Sequence, residues 1–153
     1  VLDIPQLRKH IIRPALEAID AHSPAAENLV LGTALVESGL RYVAQLNNGP
    51  ARGLWQMEPA TAEDIHRNYL AYRPKLRDQV KRLMFAGGPE ANLTGNLIYG
   101  AAMCRVHYLR VSEPLPFPDD ARGMARYWKR YYNTALGAGD VDVATGCFEQ
   151  VCR

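Results

Sequence analysis

Strand signals are nearly absent from this sequence. Only Leu40 to Leu46 modestly suggests one, so an architecture built on sheets is not expected. Long hydrophobic runs are missing as well. No window approaches the ~18 unbroken apolar residues a spanning helix needs, which excludes a membrane-embedded chain. Charge of one sign is lacking too. Eighteen Lys and Arg against sixteen Asp and Glu leave +2, too slight for a dedicated nucleic-acid binder. Internal repeats and low-complexity stretches are absent. The three cysteines, Cys104, Cys147 and Cys152, show no metal-ligand spacing. On a shared helix Cys147 and Cys152 would diverge by about 140° around the axis, which argues against a disulfide between them. Three free thiols fit a reducing compartment. The first ten residues lack the apolar core of a signal peptide, and the initial Val leaves open whether a segment was removed upstream. What is present is ordinary for a folded protein: 153 residues, 48% apolar and 22% charged. Such a chain buries roughly 70% of its unfolded surface and fits one domain spanning residues 1–153.

Helical periodicity separated by Pro, Gly and Asn predicts an all-α fold of seven or eight helices. A small hairpin or long loop is expected at 40–58. Asp3 caps a first helix with Pro5 in its first turn and Gln6 at capping-box spacing. Pro14 should kink or divide that helix. Ser23-Pro24 opens a second helix that runs to about Ser38, with Gly39 as its stop. Further helices are expected from Pro59 through Tyr72 and from Pro74 towards Gly87-Gly88-Pro89. Asn92 to Arg110 is the longest candidate. After a connector at Glu113 to Pro118, Asp119 should cap a helix through Tyr132, and Asp140 a last one.

Glu37 is the most informative residue. No other charge lies between Asn28 and Leu40, and Val30, Thr33, Ala34 and Leu40 share its helical face. It also stands in the last turn, where the helix dipole presents partial negative charge. Desolvation and that dipole both raise a carboxyl pKa, and a carboxyl kept neutral near about pH 6–7 is what a general acid requires. The bland reading is an ordinary surface Glu, or one paired with Arg41.

Glu37-Ser38-Gly39-Leu40, followed by Gly53-Leu54-Trp55-Gln56-Met57-Glu58-Pro59-Ala60-Thr61, resembles the soluble lytic transglycosylase and goose-type lysozyme superfamily. Its members carry a Glu-Ser pair at a helix end, then a Gly-Leu-Met-Gln-like and an Ala-Tyr-Asn-like element. Here Trp55 replaces the commoner Met, and Tyr131-Tyr132-Asn133 is the best third match, with Tyr131 in place of Ala. The resemblance runs from about Ser23 to Gly139 and is closer still to single-domain, phage-associated proteins of the superfamily. Ile12-Arg13-Pro14, Gly32-Thr33-Ala34 and Tyr127-Trp128-Lys129-Arg130-Tyr131-Tyr132-Asn133-Thr134 add to it.

The resemblance implies a lysozyme-like fold and a muralytic enzyme of phage or prophage origin. Such an enzyme cleaves the MurNAc-GlcNAc β-1,4 bond of peptidoglycan with Glu37 as catalytic acid and forms a 1,6-anhydro product. It needs no cofactor and no metal. Tyr132 would orient the Glu37 carboxyl through its hydroxyl. Ser38, Gln56 and Asn133 would bind substrate, and Trp55, Met57 and Tyr99 would line or underlie the groove. Each could instead be purely structural: Ser38 as a helix-end cap, Gln56 on loop backbone, Asn133 fastening a turn, Tyr132 and Tyr99 as core aromatics. Glu58, Glu63 and Asp64 suit the start of the next helix; one of them facing Glu37 would favour a hydrolytic muramidase. His10, His22, His66 and His107 are scattered without ligand spacing. A glycan-binding or structural virion module without turnover could share the same fold, since fold does not fix function. The implied partners are glycan strands and a virion or holin component. The implied place is the virion or host cytoplasm, with action at the cell wall.

Overall fold

The computed structural model describes residues 1–133 and 137–152. The described residues form an all-α single domain around one hydrophobic core, with no β-sheet. The α-helices are α1 (Ile4–Leu7), α2 (Arg13–Ala18), α3 (Pro24–Ser38), α4 (Pro59–Asn68), α5 (Pro74–Leu83), α6 (Pro89–Gly95), α7 (Leu97–Leu109), α8 (Ala121–Trp128) and α9 (Val141–Glu149). A π-helical turn at Arg8–Ile12 joins α1 and α2 into one rod, so eight helical rods result.

That π turn is how the chain accommodates Pro14. A proline ring collides with the carbonyl four residues back in a regular helix. Here Arg13 N–H reaches the Arg8 carbonyl five residues back, and the widened turn carries the helix through the proline. α3 begins and ends as local chemistry dictates. Ser23 Oγ accepts the Ala26 N–H, Pro24 occupies the first turn, and Gly39 closes the helix at φ 60°.

The expected long helix at Asn92 to Arg110 is instead two helices. Asn96 leaves helical geometry (φ −121°, ψ 93°) and its side chain caps α7 by accepting the Tyr99 N–H. α3 is therefore the longest helix. The cap of α8 is Asp120 rather than Asp119, and α8 passes into a second π turn at Lys129–Asn133. Residues 41–58 form a loop with a single 3₁₀ turn at Leu46–Asn48. Only isolated bridges, Ala44 to Arg52 and Arg52 to Met57, mark the expected hairpin.

α3 and α7 are buried on nearly every side and form the centre of the domain, in contact with each other. α7 also packs on α2, α4, α5 and α6, and α9 covers α3. Gly32 permits that cover, since a Cβ there would collide with the ring of Phe148. Across the start of α3, Glu27 accepts from Arg8 (2.9 Å) and Arg13 (2.9 Å) and lies 2.6 Å from His22. Arg8 also donates to the Val151 carbonyl at 2.8 Å, tying both ends of the chain to this helix. Cys152 lies beyond α9, and all three cysteines are free. Among the described residues no helix is long and apolar enough to cross a membrane.

Candidate functional site

Glu37 stands one residue before the end of α3. Two successive residues with positive φ, Gly39 (60°) and Leu40 (58°), turn the chain sharply away. Ser38 makes this turn possible. Its Oγ donates to the Ala34 carbonyl (3.1 Å) and accepts the Leu40 N–H (3.2 Å), and the residue is buried. Those bonds give Ser38 the capping role. Tyr42 Oη donates to the Glu37 carbonyl (3.1 Å) and fixes the backbone from the far side of the turn.

The carboxyl itself is held by a residue the sequence did not single out. Trp128 Nε1 donates to Glu37 Oε1 at 3.0 Å. An indole nitrogen only donates, so Oε1 accepts, which leaves Oε2 free to carry the acidic proton. Burial pushes the Glu37 pKa up to about 7, and the Trp128 bond, which favours the ionised form, opposes it. The residue nevertheless remains partly exposed. No cation pairs with it among the described residues, so the Arg41 pairing is not realised.

Trp128 is itself buried and held in place by the chain after α8. A Cβ at Gly139 would collide with the indole, so the returning backbone lies directly against it. Asn133 fastens that return: its Oδ1 accepts from Lys129 Nζ (2.8 Å) and from the Gly139 N–H (3.2 Å). Lys129 Nζ also donates to the Gly137 carbonyl at 2.8 Å. Residues 134–136, Thr134 among them, lie outside the described residues.

Tyr132 lies near Glu37 but does not bond to its carboxyl. Its hydroxyl donates to the Trp55 carbonyl at 2.6 Å. Burial raises the Tyr132 pKa well above its ordinary value, and the charges of Cys104 and Glu37 add to this. The physical reason for the changed partner is the turn at residues 53–56, which presents a carbonyl needing a donor. The Tyr132 ring packs on His107 (4.9 Å between centroids) and Tyr108 (5.4 Å). The Tyr108 hydroxyl in turn bonds to Thr33 of α3 at 2.8 Å. An aromatic layer thus supports the Glu37 end of α3.

The Gly53-Leu54-Trp55-Gln56 element is mainly a lock between helices. Gly53 (φ 79°) lies against the Leu93 carbonyl, leaving no room for a Cβ. Trp55 is buried, donates through Nε1 to the Val30 carbonyl of α3 (2.9 Å), and stacks over Gly100 of α7. A Cβ at Gly100 would come within 2.9 Å of the indole. Removing such an aromatic costs roughly 3–5 kcal/mol, so Trp55 belongs to the core. Met57 and Tyr99 are buried as well, with the Tyr99 hydroxyl 2.8 Å from His66. Gln56 is strained at φ 46°, an unusual conformation for a residue with a side chain. Its Nε2 donates to the Gly53 carbonyl (2.9 Å), and the side chain is half-buried.

Of the other acids, Asp64 pairs with Arg110 (3.0 Å), while Glu58 and Glu63 are exposed. Glu58 occupies the cap position of α4 without a side-chain cap bond. An open groove of about 510 Å³ lies beside the end of α3, lined by Leu40, Arg41, Tyr42, Val43 and Leu54 among others. The Glu37 carboxyl is not part of that lining; Tyr42 links the two through its bond to the Glu37 carbonyl. Among the described residues no group of three or more His, Cys, Asp or Glu is arranged to hold a metal ion.

This arrangement can store and deliver one proton near neutral pH. It defines a candidate acid–base site, and no family model, curated protein or solved structure matches the chain. The role of Trp128 is testable without any substrate. Trp128→Phe removes the bond that favours the ionised carboxylate. The Glu37 pKa should then rise from about 7 by about one pH unit. A carbon-detected NMR titration of the side-chain carboxyl reads this directly. A pKa that stays or falls would remove Trp128 from the site.

Proposed function

We propose that the protein is a peptidoglycan lytic transglycosylase with a lysozyme-like fold, in which Glu37 serves as acid and then base. The observation that carries this reading is the partly exposed carboxyl whose pKa stands at about 7. A general acid works best with a pKa close to the working pH. Glu37 Oε2 gives its proton to the glycosidic oxygen as the C1–O bond of the muramic residue breaks. The resulting carboxylate then takes the proton of the same sugar's C6 hydroxyl, whose oxygen bonds to C1. The 1,6-anhydro ring closes, the carboxyl regains its proton and no water is consumed. Ring closure is efficient because nucleophile and electrophile share one sugar. A single carboxyl suffices for both steps, so this reaction requires no role of Asp64, Glu58 or Glu63. The partly exposed Gln56 amide can contact the sugar substituents. The resemblance to phage-associated proteins extends the proposal to a muralytic enzyme of phage or prophage origin, carried in the virion or released with a holin.

Mass spectrometry of digested sacculi tests the reaction. The expected products are anhydromuropeptides without added water. Hydrated reducing ends would replace the transglycosylase with a muramidase, and intact sacculi with bound protein would leave a binding module.

A further inference from the structure

We infer that the opposite end of α3 carries a second site, a cavity that binds a carboxylate borne on a short apolar chain, with Arg105 as its anchor. The cavity measures about 600 Å³ and is lined by Ile19, Ala21, Ser23, Leu76, Arg105 and Leu109 among others. That volume lies within the ~300–1,000 Å³ range of small-molecule sites. From Ser23 to Glu37 α3 rises about 20 Å, so this cavity is separate from the acid–base site and independent of its reading.

Arg105 is half-buried, and only its Nε is used, donating to the Ala21 carbonyl at 3.0 Å. Other arginines are paired with acids: Arg8 with Glu27, Arg77 with Asp78 and Arg110 with Asp64. No carboxylate pairs with Arg105 among the described residues. No buried side-chain nitrogen among them lacks a partner either, so the terminal nitrogens of Arg105 retain solvent access, and Arg105 lines the cavity. A guanidinium held by Nε alone presents two nitrogens in one plane, the geometry that receives a carboxylate in two parallel hydrogen bonds. Burial lowers the Arg105 pKa, the direction for a cation that lacks a counter-ion.

The surroundings select the rest of the ligand. Ile19, Ala21, Leu76 and Leu109 supply apolar wall, while Arg73 and Lys75 add positive charge at the start of α5. Arg73 is stacked over the Tyr69 ring at 3.7 Å. The one acid of the lining, Asp20, is engaged by Gln79 (2.8 Å) and Lys75 (3.5 Å). His22 is engaged by Glu27. A bare inorganic anion would leave the apolar wall uncovered, and a neutral chain would leave Arg105 unpaired.

Hexanoate is the probe, titrated into the whole protein at pH 7 and followed by backbone amide shifts. Saturable shifts are expected at Ala21, Ser23, Leu76 and Leu109. Hexan-1-ol and inorganic phosphate should each bind at least about tenfold more weakly, and Arg105→Gln should cost hexanoate at least about tenfold. Gln79→Glu leaves Arg105 untouched, places a second carboxylate beside Asp20 at the rim, and should weaken hexanoate several-fold. The proposal is overturned by absent or non-saturable shifts, by hexan-1-ol or phosphate matching hexanoate, or by unchanged affinity in folded Arg105→Gln. If that variant does not fold, unchanged affinity in Gln79→Glu overturns it.

Discussion

If the proposed function holds, Glu37→Gln should abolish wall lysis and, at pH 8, should make the protein harder to unfold than the wild type. The amide keeps the shape of the side chain, and its oxygen can still accept the Trp128 N–H. It has no acidic proton, so turnover should fall roughly 10²- to 10⁴-fold in a turbidity or zymogram assay. The stability gain follows from linkage. An unfolded Glu titrates near 4.5, whereas the folded carboxyl titrates at about 7 because it is buried. Between these values the unfolded chain has released the proton that the folded one still holds. Raising the pH therefore drains stability from about 4.5 up to about 7, and the loss is complete above that. At pH 8 the ionised carboxyl costs about 3 kcal/mol, which the Gln variant escapes; at pH 4 the two proteins should be nearly equal. Urea unfolding at both values measures this. Lysis by the variant at wild-type rate would dismiss Glu37 as the acid. Equal urea midpoints at pH 8 would dismiss its buried, destabilising state. The two readouts are separate, so an inactive variant without the stability gain would point to a role in binding rather than proton transfer. A residue that weakens the fold where it works is the usual trade between stability and activity.

How much of this was legible in the sequence depends on the range of the interaction. Ser23, Pro24 and Gly39 delimit α3 where the local pattern puts its ends, because a cap bond and a left-handed closing residue act within four positions. Asp3 and Asp140 cap α1 and α9 for the same reason. Asn96 reads as helix interior in the sequence, yet it caps α7, because an Asn side chain competes with the ladder wherever a break is tolerated. The two π turns are invisible at that level, since nothing in the local pattern distinguishes a five-residue from a four-residue return. At the candidate site, the apolar face around Glu37 is visible at helical spacing. Its partner is not: Trp128 lies 91 positions away. Trp128 and Tyr132 stand four apart, which places both on one face of the expected helix. The π turn between them and the spare Trp55 carbonyl decide that the indole, not the phenol, meets the carboxyl. Trp55 is a groove candidate by resemblance, and Gly100 on a distant helix is what draws it into the core.

Glu27→Gln should be the most damaging single-atom exchange in the domain. Glu27 is 5% exposed at its side chain and serves Arg8, Arg13 and His22 at once. Burial alone would raise its pKa. The hydrogen bonds from Arg13, Arg8 and His22 overcome that and hold it at about 2. Gln keeps the volume but removes the charge, leaving two guanidinium groups facing each other at the start of α3. Breaking a buried ion pair from one side costs roughly 3–5 kcal/mol. Arg13 is 45% exposed and can turn to water, so the lower end, about 3 kcal/mol, is the expected loss. The consequences should spread beyond α3, because Arg8 also holds Asn28 (2.7 Å) and the Val151 carbonyl. Loosening Arg8 would free the segment after α9 as well, seen as faster amide exchange at Val151 and Cys152. The pH dependence gives an independent reading. The unfolded carboxyl protonates near 4.5 and the folded one only at about 2, so this contribution is present above 4.5 and fades as the pH falls towards 2. Wild-type stability should therefore drop more steeply than that of Glu27→Gln across this window. Parallel curves, or a variant within about 1 kcal/mol of wild type at pH 7, would show that α1, α2 and α3 are held by apolar packing alone.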